Sequence, residues 1–103
     1  MNITLLVELI PRHFYVRRMY YVYVLKSQKD KGLYIGYTRD LEARIAKHNK
    51  GFSATTNDRR SLKLIYYEAY VSELDARLRE QRIKKFKNSY KELIKRIDNS
   101  LKC

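Results

Sequence analysis

The sequence predicts a small α+β domain, a three-stranded antiparallel sheet flanked by helices in the order β-β-α-β-α-α. Three observations carry that class. Residues 20–26 (YYVYVLK) and 33–37 (LYIGY) are short aromatic and β-branched runs joined by a polar turn, the pattern of a hairpin. Segments opening on Asp40 and Ser72 carry capping residues ahead of helix-forming sequence. A chain of 103 residues, 45% hydrophobic and 33% charged, can bury one modest core and no second one.

Residues 1–18 read differently from the rest: an apolar run ends at Pro11 and a basic, aromatic stretch follows. They are either an extension upstream of a true start at Met19 or an extra element packed on the domain. Residues 19–103 form the single domain proper. In its hairpin an even loop would place Tyr23 opposite Tyr34, Val22 opposite Ile35 and Val24 opposite Leu33. Side chains alternate along a strand, so one face would carry Val22, Val24, Leu33 and Ile35, the other Tyr21, Tyr23, Tyr34 and Gly36. The valine face is the expected core, and the tyrosine face a surface for binding.

Asp40 caps the next helix, which Gly51 should stop, with Leu41, Ile45 and His48 on one stripe and Arg44 and His48 neighbours at i, i+4. A loop over 51–61 leads to a third strand over 62–71. Ser72 opens the second helix, with Asp75 in the capping-box position, and that helix is expected to run to about Lys87. Ser89 and Glu92 form another capping box ahead of a final helix with Tyr90, Leu93, Ile94 and Ile97 on one stripe.

Composition narrows the function. Lys and Arg number 23 against 11 Asp and Glu, a formal +12, more than solubility requires and suited to a polyanion such as nucleic acid. Residues 77–102 hold ten of these cations against Glu80, Glu92 and Asp98. The single cysteine, Cys103, excludes an internal disulfide or a cysteine-rich zinc site, and no phosphate-loop or dinucleotide motif is present. The apolar run near the start is too short to span a bilayer and lacks a signal-peptide charge pattern, so a cytoplasmic protein without membrane attachment is expected.

The tripeptides Val22-Tyr23-Val24 and Tyr34-Ile35-Gly36, the helix YTRDLEARIAKHN with Arg44 and His48, and LREQRIKKF with Glu80 resemble the GIY-YIG nuclease family in order and spacing, over about residues 20–87. The closest likeness is to short standalone members related to the nuclease module of bacterial excision repair. The resemblance implies an endonuclease that hydrolyses phosphodiester bonds with one divalent ion, Mg²⁺ or Mn²⁺. In that reading Tyr34 is the general base or orients the water, with Tyr23 beside it. Arg44 stabilises phosphoryl charge, His48 shares the proton or contacts phosphate, and Glu80 holds the metal. Lys26, Arg39, Arg59, Arg60, Lys84 and Lys85 are the expected nucleic-acid contacts, with DNA expected ahead of RNA and a protein partner available to target the substrate. A lysine often follows YIG in the excision-repair branch; Tyr37 stands there, leaving Lys26 or Arg39 to supply that cation. A phenol ionises near pH 10, so a base role needs one. The plainer alternatives are cross-strand packing for the tyrosines, a structural histidine at His48, an Arg77 or Lys84 ion pair at Glu80, and a non-catalytic nucleic-acid-binding module on the same fold.

Overall fold

The computed structural model describes residues 18–50 and 61–103. Strands β1 (Tyr20–Ser27), β2 (Leu33–Thr38) and β3 (Leu62–Tyr70) form one antiparallel sheet in the order β2-β1-β3. Helices α1 (Leu41–Asn49), α2 (Glu73–Lys85), α3 (Lys87–Arg96) and the short α4 (Asp98–Leu101) complete the expected α+β architecture. The expectations for residues 1–17, Gly51, Arg59 and Arg60 fall outside the described residues.

The valines and tyrosines sort onto opposite faces as expected, but the hairpin pairs two residues further along. Tyr23 stands opposite Gly36 and Val24 opposite Ile35. The physical reason is steric. A Cβ built on Gly36 would lie 2.3 Å from the Tyr23 hydroxyl, so the buried Tyr23 ring needs the one partner on β2 without a side chain. Pairing Tyr23 with Tyr34 would also have closed the loop on Ser27 and Asp30. Instead the Ser27 amide donates to the Gly32 carbonyl (2.9 Å), leaving a four-residue turn, Gln28 to Lys31. Within it Ser27 Oγ accepts from the Lys29 and Asp30 amides, Asp30 Oδ1 accepts from the Gly32 amide, and Lys31 takes φ 62°.

Both faces of the sheet are covered, which corrects the expectation of an open tyrosine face. On the valine side Val22 and Val24 pack with Ala76 and Ile83 of α2, Leu93 of α3 and Ile97 at the junction of α3 and α4. On the other side Tyr23, Leu25 and Leu62 form a second cluster, against which Leu41 and Ile45 of α1 pack. The Leu41–Ile45–His48 stripe is thus the complement of the tyrosine face. The caps behave as expected: Asp40 accepts from the Ala43 amide at 3.1 Å, and Ser72 Oγ from the Asp75 amide at 3.3 Å. The second helix ends earlier than expected. Phe86, at φ −110° and ψ 120°, breaks the chain between α2 and α3, and α3 starts without a side-chain cap, so Ser89 does not open it. The bend brings Ile83 and Leu93 into the same core.

On the valine side β3 also places Glu68 under α2. Arg79 grips its carboxylate with two nitrogens (2.9 and 3.0 Å), and the hydroxyls of Tyr66 (2.7 Å) and Tyr70 (2.5 Å) donate to it as well. Burial alone would raise the Glu68 pKa; the hydrogen bonds from Arg79, Tyr70 and Tyr66 outweigh it and hold the carboxylate below its ordinary range. Tyr70, buried and bonded to that carboxylate, is pushed up to about 12.

Candidate active site

The site is organised around Tyr23. Its ring is 3% exposed, and its hydroxyl lies 3.0 Å from His48 Nε2. Three local features put them together: the strand aims Tyr23 to the α1 face, Gly36 leaves room for its ring, and helical periodicity turns His48 inward with Leu41 and Ile45. Burial raises the Tyr23 pKa; the nearby Arg44 charge opposes this and the Glu80 charge adds to it. Burial also lowers the His48 pKa, with Arg44 and then Lys47 contributing in the same direction. Both groups are therefore neutral at neutral pH, and the hydrogen bond is a neutral one. At Tyr23 the desolvation wins over Arg44.

Arg44 and Glu80 both act electrostatically on the Tyr23 hydroxyl, although α1 and α2 lie on opposite faces of the sheet. Among the described residues β2 is an edge strand of the sheet. Tyr37, at the end of β2, ties α2 to this edge by donating to Glu73 Oε2 at 2.5 Å. Tyr34, also on β2, is half-buried against the cluster formed by Tyr23, Leu25 and Leu62.

The basic residues divide. Arg39 and Arg44 line a shallow pocket of about 310 Å³ together with Lys47, which sequence reading missed although it stands three residues from Arg44 on α1. Arg39 also reaches Glu73 (3.4 Å) and lies over the Tyr20 ring (5.7 Å). Lys84 pairs with Glu80 at 3.3 Å, and Lys85 lies near the Phe86 ring, 5.8 Å from its centroid. Lys26 pairs with Leu33 on the valine side, and its ammonium binds the Leu101 carbonyl.

The donor set suits one kind of ion. Among the described residues no group of three or more His, Cys, Asp or Glu side chains could enclose a metal. Glu80 is a single carboxylate, 21% exposed, whose ionic partner is the half-exposed Lys84. One carboxylate with water and substrate oxygens fits Mg²⁺ or Mn²⁺ and does not fit a zinc cage.

A GIY-YIG catalytic domain model matches residues 19–93. A UPF0213 protein of Staphylococcus haemolyticus is 47% identical over 73 residues, covering 70% of this chain and 88% of that protein. A UPF0213 protein of Clostridium perfringens is 45% identical over 74 residues, covering 71% and 78% respectively. No solved structure matches. No helix among the described residues is long and apolar enough to cross a membrane. With the expected sheet, the tyrosine pair on its strands and a match over most of its length, the chain belongs to the GIY-YIG domain family, a nuclease family, among its short members.

Proposed function

We propose that this protein is a metal-dependent endonuclease that hydrolyses phosphodiester bonds at the β2 edge of its sheet, with DNA its expected substrate. The observation that supports this most is the buried hydrogen bond between Tyr23 and His48, at a hydroxyl that feels the charges of both Arg44 and Glu80.

In this reading the phosphate lies along the edge strand. Glu80 would hold the divalent ion, which when bound neutralises phosphate charge and polarises the phosphorus towards attack. Arg44 presents a planar fork of donors to the phosphoryl oxygens, where negative charge grows in the transition state. Tyr34 orients the attacking water. As the water oxygen bonds to phosphorus, its proton passes to the Tyr23 oxygen while the Tyr23 proton moves to His48 Nε2. The sugar oxygen leaves as the old P–O bond breaks and takes a proton from solvent. The relay suits the pKa values: a buried phenol that resists ionisation exchanges one proton for another and never carries the charge alone. Arg39 and Lys47 lie beside Arg44 to hold the neighbouring phosphate, and Lys84 and Lys85 extend the basic track along α2. A protein partner in the cytoplasm, in repair of DNA, would direct this small domain to its substrate.

The test is a cleavage assay on supercoiled plasmid, single-stranded DNA, branched duplex and structured RNA, each with Mg²⁺, Mn²⁺ or EDTA. Glu80→Ala and Arg44→Ala proteins are run alongside. Cleavage that needs the ion and is lost in both variants supports the reading and names the substrate. Salt-sensitive binding with no cleavage of any substrate would support the non-catalytic module instead.

A further inference from the structure

A second surface adjoins the edge site and is not used by the proposed chemistry. A groove of about 600 Å³ opens where α2 gives way to α3, with Leu33 and Ile35 of β2 along its inner side. Phe86 and Tyr90 stand on it with 52% and 40% of their surface exposed. Lys84, Lys85 and Lys87 surround the same groove. Helix interiors and tight breaks do not require two exposed aromatic rings, and burying either against the core would have been favourable. A flat apolar ring flanked by cations is the combination that takes a nucleobase on its face and phosphates on its rim.

We infer that this groove is a stacking subsite for an unpaired nucleotide next to the one being cut. The inference rests on the nucleic-acid reading above and deepens it by assigning single-stranded character to the substrate at this point. Charge complementarity selects the occupant. Three lysines within four residues, and no carboxylate among the described residues that line the groove, fit a phosphodiester strand. The aromatic pair selects an unpaired base, because a paired one already has both faces stacked on its neighbours. The groove is continuous with the edge site through Lys84, which lines it and also pairs with Glu80. Phe86 lies six residues beyond Glu80, about 9 Å along a helical rise, so one strand can serve both.

The test is binding alone, with EDTA present so that no strand is cut. Fluorescence anisotropy is measured with a short labelled DNA single strand and with the same sequence as a blunt duplex. Phe86→Leu keeps an apolar side chain at the bend but removes the ring. It should weaken single-strand binding about tenfold and leave duplex binding within about twofold. Phe86→Trp should restore or strengthen single-strand binding, which a merely structural role would not. Tyr90→Leu should follow Phe86→Leu. Lys85→Ala should weaken both probes and flatten their salt dependence. Equal loss of both probes on Phe86→Leu, or no loss of either, would overturn the stacking subsite while leaving the nuclease reading intact. Failure of the wild-type protein to bind either probe would overturn the nucleic-acid reading itself.

Discussion

Two glutamates on this sheet and its covering helices differ in how fully their oxygens are used by neighbouring donors. Glu68 on β3 receives four hydrogen bonds, two from Arg79 and one each from Tyr66 and Tyr70, and 13% of its side chain is exposed. Glu80 on α2, twelve residues later, pairs with the half-exposed Lys84, and its charge is felt at the Tyr23 hydroxyl. A carboxylate whose lone pairs are filled by fixed donors has nothing left for a metal. One held by a single mobile lysine gives it up cheaply, because exposed pairs of this kind contribute only about 0.2–1 kcal/mol. The difference is one of saturation rather than of charge. Glu68 holds α2 on the sheet, and Glu80 keeps oxygens open for the metal proposed above.

Breaking the reactive side should have the largest effect. Arg44→Ala is expected to lower the cleavage rate by about a hundredfold or more, since it removes donors to the charge that develops on phosphate. Its melting temperature should move little, and rate and melting curve measured on one preparation check both. The structural side breaks differently. Glu68→Gln leaves the Arg79 guanidinium half-buried beside a neutral partner, at a cost of about 3–5 kcal/mol. In a domain this small that lowers Tm by more than about 10 °C, while cleavage at a temperature where the variant is folded stays near wild type.

Gly36 sharpens the comparison, because it serves packing and site together. Gly36→Ala forces a methyl to 2.3 Å from the Tyr23 hydroxyl, with the ring carbon beneath it at 2.5 Å. Such overpacking costs about 1–3 kcal/mol and displaces Tyr23 from His48. Combining it with Tyr23→Ala should cost less than the sum of the two single changes, which a double-mutant cycle on denaturation free energies would read.

The smallest effect is the pH response of His48. Its folded pKa lies below the ordinary 6.5. Above pH 6.5 neither folded nor unfolded chain carries that proton. As pH falls through 6.5 the unfolded chain takes it up first, so stability declines down to the folded pKa and then levels. Thermal melts across this range should show a flatter curve for His48→Gln than for wild type. Activity should hold through that window and fall only as pH drops through the folded pKa, because a protonated Nε2 cannot accept from Tyr23.

Much of this was legible in the sequence, for physical reasons. Alternation in β1 and β2 separated valines from tyrosines, since burial rewards it. Asp40 and Ser72 announced their helices through hydrogen bonds that are local in sequence. The hairpin register was not legible from faces alone, because slipping by two residues preserves every face. The deciding fact was the contact of the Tyr23 ring with Gly36. The break at Phe86 was likewise hidden. The Ser89–Glu92 pattern is a sound capping signal, but tertiary packing of Ile83 and Leu93 into one core set the bend earlier. The Lys26 ammonium is drawn away by a carbonyl 75 residues distant, a partner that no local pattern reveals. Arg44, His48 and Glu80 could be chosen because their order on successive elements resembles the family. That two of them act across the sheet edge is a property of the fold.

The most direct measurement pairs the two glutamates. Metal-dependent cleavage and Tm are determined for Glu80→Gln and Glu68→Gln under identical conditions. The account predicts a crossed result: Glu80→Gln loses cleavage by at least about a hundredfold with Tm nearly unchanged, and Glu68→Gln loses Tm with cleavage retained when folded. Cleavage that survives in Glu80→Gln, or that disappears in fully folded Glu68→Gln, would contradict it.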